Sequence, residues 1–127
     1  MKVYCFGNEF IKKDSLAKQI ADELKVKGFE FVKCTSPDEL EIESDTLVIM
    51  DVVKGTKNIV LITDVDQLKE HNPCSCHDLD LGYHLKLFQE LGMLKKLYII
   101  GLPMESDFSI DDLKKKIALL LFDLFPV

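Results

Sequence analysis

The sequence predicts a three-layer α/β/α sandwich around a mainly parallel, roughly five-stranded sheet that includes one antiparallel strand. Three observations predict it. Strand-like runs and stretches of helical spacing interleave as β-α-β-β-β-α-β-α, the pattern of a sheet with helices on its faces. The run Thr46-Leu47-Val48-Ile49-Met50 is short and wholly apolar, as a strand covered on both faces should be. The gap from Asp51 to the next strand is too short for a crossover helix, so that strand should run antiparallel to its neighbour.

The elements follow in order. Val3-Tyr4-Cys5-Phe6-Gly7 has strand character and ends in a glycine. Leu16, Ile20 and Leu24 then recur at i, i+4 and i+8, on one face of a helix. Asp14 and Ser15 both suit its N-cap, and Gly28 suits a terminator. Phe29-Glu30-Phe31-Val32-Lys33 reads as a second strand. Residues 34–45 are polar and acidic, with room for one helical turn around Asp38 to Leu40 after Pro37. The third strand, from Thr46, ends in Asp51, Lys54-Gly55-Thr56 turns, and Ile59-Val60-Leu61-Ile62 is the fourth. Residues 64–72 read as a surface loop or helical turn.

Leu81, Leu85 and Phe88 keep helical spacing to Leu91-Gly92. Leu97-Tyr98-Ile99-Ile100-Gly101 is the last strand. Ser109, with Asp111 and Asp112 after it, opens the last helix. Leu113, Ile117, Leu120 and Leu124 are expected to pack it on the sheet. Leu119, Leu121, Phe122 and Phe125 widen the apolar surface beyond one stripe. That width fits a helix buried within the monomer or one that partly covers a partner.

Composition bounds the function. With 127 residues, 47% of them hydrophobic and 30% charged, a single domain over residues 1–127 is expected. A net charge of −6 argues against nucleic acid. All sixteen basic residues are lysine, so no bidentate arginine clamp is available. Met1-Lys2 leads straight into a strand, so no secretory leader is expected. Nor is a membrane span: the nearest candidate, residues 117–125, is too short and contains Asp123. Cys5, Cys34, Cys74 and Cys76 are read as free thiols in a reducing cytoplasm.

Asp14 follows the first strand, Asp51 ends the third and His77 precedes the middle helix. In an α/β sheet, loops at the carboxyl ends of strands share one edge, where ligands bind. Two carboxylates and an imidazole suit a borderline divalent metal such as zinc, nickel or iron. The plainer reading of Asp14 is an N-cap, and of the pair Lys12 and Lys13 a solvated surface. The first turn lacks Gly-x-Gly-x-x-Gly and is no dinucleotide fingerprint. Cys74-Ser75-Cys76-His77 offers a competing thiolate–imidazole cluster for a soft metal. A structural zinc site would need a second ligand pair, and Cys5 and Cys34 are single. A serine elbow is absent, and Cys76 beside His77 in sequence does not make a catalytic pair.

In order, these segments resemble the hydrogenase maturation endopeptidases. The resemblance rests on Gly7-Asn8 with Asp14 six residues on, Asp51-Val52-Val53 with Gly55-Thr56, and Ser75-Cys76-His77 before a helix ending in Leu91-Gly92. Ile100-Gly101-Leu102-Pro103-Met104-Glu105 completes it. The chain departs from the family at Lys13, where many relatives have an acidic residue. It also departs at residues 34–45, where only Thr35 echoes a glycine-rich stretch.

The resemblance implies an endopeptidase that removes the C-terminal extension of a nickel–iron hydrogenase large-subunit precursor. The nickel would be carried largely by that substrate, with zinc or cadmium able to substitute in vitro. Asp14, Asp51 and His77 would be the metal-contacting and catalytic residues. Either Asp14 or Asp51 would activate water. The protein would act in the cytoplasm as a monomer, apart from membranes. Two other readings stay open: a non-proteolytic nickel-binding maturation factor or metallochaperone, and a small-ligand module in which Asp14 and Asp51 are structural.

Overall fold

The computed structural model describes residues 1–7, 15–70, 76–104 and 107–126, with their side chains except at residues 68–70 and 76–80. The elements are β1 (Lys2–Cys5), α1 (Leu16–Glu23), β2 (Glu30–Lys33), a 3-10 turn (Pro37–Glu39), β3 (Thr46–Val53) and β4 (Val60–Ile62). Then come α2 (Val65–Glu70), α3 (Cys76–Glu90), β5 (Lys96–Pro103) and α4 (Ile110–Leu124).

The five strands form one sheet in the order β2-β1-β3-β5-β4. The first four in that order are mutually parallel, and β4 is antiparallel to β5. The antiparallel expectation for β4 holds, but its partner is β5 rather than the preceding strand. Residues 54–59 cross two strand spacings, roughly 10 Å, leaving a slot that β5 fills later in the chain.

Side chains alternate across the sheet and build two apolar layers. Tyr4, Phe6, Leu47, Ile49 and Ile99 meet Leu81 and Leu85 of α3. Val3, Cys5, Val48, Met50 and Ile100 meet Ala17 and Ile20 of α1 and Leu113, Ile117 and Leu121 of α4. Helices thus cover both faces, as the sandwich requires. In α4 the buried line runs through Leu113, Ile117 and Leu121, a strict i+4 series. Leu113 and Ile117 pack as expected and half-buried Leu120 packs against the same layer, while Leu121 in place of Leu124 completes the buried line. Leu121 sits squarely over the sheet and Leu120 falls on the flank.

Several boundaries move. The third strand continues through Asp51 to Val53, because Val52 and Val53 stay paired with Leu102 and Pro103. α1 stops at Glu23, before Gly28, as Leu24 turns extended and Val26 is drawn into the core. At the end of α3, Gly92 adopts φ +74° and the Met93 N–H donates to the Phe88 carbonyl at 3.0 Å. That left-handed step is why glycine closes this helix. The expected start of α4 holds: Ser109 accepts a hydrogen bond from the Asp112 N–H at 3.1 Å.

Candidate functional site

The chain reverses direction across the sheet between β1 and β3. From β1 it passes through α1 to β2 on one side, then returns to β3 on the other. Such a switch point opens a crevice at the carboxyl ends of its strands. Here the edge is formed by Phe6 and Gly7 after β1, Cys34 after β2 and Asp51 near the end of β3. The Phe6 N–H donates to the Met50 carbonyl at 2.9 Å, and the Cys34 N–H to the Cys5 carbonyl at 2.9 Å. These two bonds draw the three strand ends together.

Asp51 is 1% exposed. Alternation along β3 puts it on the face of Leu47 and Ile49, the face covered by α3. The carboxylate Oδ1 accepts the Val52 N–H at 2.8 Å, which fixes its orientation. The backbone of His77 lies in the first turn of α3. That helix leads through residues 91–94 to Lys95, whose N–H donates to the Asp45 carbonyl beside the start of β3. Its other end, with His77, therefore points to the carboxyl edge, on the same face as Asp51. The topology places the backbone of His77 at the same edge and on the same face of the sheet as Asp51.

Asp14 and Asn8 lie outside the described residues, as do Cys74 and Ser75, the side chains of Cys76 and His77, and the pair Lys12 and Lys13. Ser15, directly after Asp14, precedes α1, and its carbonyl accepts the Gln19 N–H. Among the described residues, no three histidine, cysteine or acidic side chains are grouped to hold a metal. Nor do they include a helix long and apolar enough to cross a membrane.

Along nearly the whole chain the fold superposes on HybD, a hydrogenase maturating endopeptidase from E. coli. The TM-score is 0.67 at 16% identity, over 98% of this chain and 91% of that one. It has the fold of the hydrogenase maturation endopeptidases. The [NiFe] hydrogenase maturation protease HybD from Thermococcus kodakarensis matches at TM-score 0.66 and 19% identity, over 98% of this chain and 99% of that one. The hydrogenase 3 maturation protease matches at 0.63 and 18%, over 93% and 86%. No family model and no curated protein matches the sequence. The three-layer expectation and the antiparallel strand both belong to this fold.

Sequence reasoning passed over Lys18. It is 4% exposed in α1, and its charge acts on Cys34 and on Glu39. Cys34 packs in the layer opposite α1, so this influence acts across the sheet. Glu39 Oε2 accepts the Ser36 and Thr35 N–H groups, closing the 3-10 turn as a capping box. The Ser36 and then the Thr35 bond hold the Glu39 carboxyl below its usual range. The one sequence clue to Lys18 is its place between Ala17 and Ile20, a polar residue at the border of an apolar face.

The cysteines near this edge are buried packing groups. Burial pushes the Cys5 thiol far up, and the neighbouring Cys34 and Asp51 push the same way. Burial, then the Glu39 carboxylate, pushes Cys34 up to about 11, with Lys18 opposing. Their side chains lie in opposite layers of the sheet. Neither is an activated nucleophile.

Proposed function

We propose that the chain is an endopeptidase of hydrogenase maturation. It removes the C-terminal extension of a nickel–iron hydrogenase large-subunit precursor that already carries nickel. The supporting observation is the fold likeness over nearly the full length to structures named as such proteases. The ordered motifs around Asp14, Asp51 and His77 agree with it.

In this reading the precursor brings the nickel to the carboxyl edge. Asp51, Asp14 and His77 supply two carboxylates and one imidazole, a donor set suited to nickel and also to zinc or cadmium. Three protein ligands leave positions for groups of the substrate. The metal then serves to register the precursor, placing its scissile bond against the enzyme. Asp51 is held in one orientation by the Val52 N–H, so it is a preorganised ligand. Hydrolysis requires a water oxygen to attack the scissile carbonyl carbon while its proton passes to a carboxylate of the pair Asp14 and Asp51. That proton then goes to the departing amine as the carbon–nitrogen bond breaks. We place the reaction in the cytoplasm, in keeping with the buried free thiols Cys5 and Cys34.

The test is incubation of the purified protein with nickel-loaded and nickel-free precursor. Shortening of the loaded form alone supports the proposal. An uncut precursor that still binds would favour a metallochaperone.

A further inference from the structure

The sheet ends at β4, a strand of only three residues, and α4 lies beside that edge. Between them runs an open groove of about 290 Å³. Asn58, Ile59 and Leu61 at the β4 edge and Leu119 and Leu120 of α4 line it, together with Lys116 and Asp123 of the same helix. The apolar surface here is well exposed, Leu119 by 64% and Leu61 by 37%, and Phe122 of the same helix is exposed by 47% outside the groove lining. Apolar surface beside an unpaired strand edge is a liability that a partner would cover.

The order of charges selects the partner. Lys116 stands three residues before Leu119, and Asp123 three after Leu120. Seven residues apart, the two charges share a helix face but stand roughly 10 Å apart along the axis, beyond pairing distance. A half-turn about an axis between Leu119 and Leu120 exchanges the two ends. It sets Lys116 against Asp123 of the partner subunit, and Leu119 against Leu120 of the partner subunit. The surface is complementary to itself, as a two-fold interface must be. Lys116 also lies over the Phe108 ring at 4.5 Å, which restricts its ammonium.

We propose that this face pairs two copies of the chain, α4 packing antiparallel against α4 about a two-fold axis. The contact replaces the monomer expected from sequence and leaves Asp51 outside it. One helix flank and one short strand give an interface at the small end of specific ones, so the dimer should be concentration-dependent.

Sedimentation velocity over a concentration series tests this with Leu119→Asp, Lys116→Glu, Asp123→Lys and the double exchange Lys116→Glu/Asp123→Lys. Wild type should shift from monomer to dimer, and Leu119→Asp should stay monomeric. Leu119 is outside the core, so thermal unfolding of that variant should match wild type at dilutions where both are monomeric. Each single charge reversal should weaken association roughly tenfold by setting like charges together, and the double exchange should restore it. A wild type that stays monomeric overturns the proposal. So does a dimer indifferent to Leu119→Asp, or a double exchange no better than the single changes.

Discussion

Asp51 and Gly101 stand opposite each other across the β3–β5 pair. Both are on the α3 face, where Gly101 contributes no side chain. The space is taken by Val60 and Val53: a Cβ on Gly101 would lie 2.8 Å from Val60 Cγ2 and 3.0 Å from Val53 Cγ2. Valine is stiff at its first torsion, so neither methyl can swing aside cheaply. Beside the buried carboxylate the sheet thus carries a tightly filled apolar wall.

Gly101→Ala is therefore expected to displace β4 and lower stability by about 1–3 kcal/mol. Urea unfolding measures it. An unchanged midpoint would show that the edge strand yields freely.

Leu121 and Leu119 separate the two sides of α4. Leu121→Ala should cost about 2–4 kcal/mol, because the side chain is fully buried over the sheet. Leu119→Ala should cost almost nothing in dilute monomer. Truncation after Ala118 removes Leu121 and should destabilise the domain strongly. Equal thermal unfolding of the two alanine variants would contradict the observed facing of the helix.

Cys34 makes stability depend on alkaline pH. Its folded value of about 11 lies above the ordinary 9.0. Between these values the unfolded chain has lost its thiol proton while the folded one keeps it, so stability falls as pH rises through this window. Cys34→Ala should flatten that fall relative to wild type. Lys18→Met should extend it to higher pH, because Lys18 opposes the rise. Denaturation series from pH 8 upward on all three proteins check the sign. A parallel fall in wild type and Cys34→Ala would remove the thiol from the account.

The predicted site makes a separate claim. Asp14→Ala, Asp51→Ala and His77→Ala should each weaken nickel binding by about tenfold or more, since two remaining ligands hold a metal poorly. Cys74→Ser and Cys76→Ser should leave it unchanged. Titration calorimetry decides between the two donor sets. Loss of binding in the cysteine variants alone would move the site to the cluster.

The fold was legible where local pattern and burial agree. Thr46 to Met50 is apolar because both faces of β3 are covered, and Ser109 caps α4 by its own hydroxyl. The partner of β4 was hidden because it depends on β5, which lies beyond two intervening helices. Leu121 was read only as widening the α4 stripe, because 120 and 121 are both leucine and only packing shows which is fully buried. Asp51 stood out in the sequence by its place at the end of an apolar run, but its burial follows from the helix layer over β3. Lys18 was missed because a lysine on a helix normally reads as solvated surface. It is buried in a helix laid against β1, β2 and β3.

Intact-mass measurement of the precursor tests the central claim most directly. Nickel-loaded large-subunit precursor, incubated with the wild-type protein, should lose the mass of its C-terminal extension. Nickel-free precursor should keep it, and Asp51→Ala should leave the loaded form uncut while still unfolding in a single cooperative transition, lowered because the buried Val52 N–H loses its acceptor. A loaded precursor of unchanged mass after incubation with the wild type would contradict the account, as would equal cleavage by Asp51→Ala.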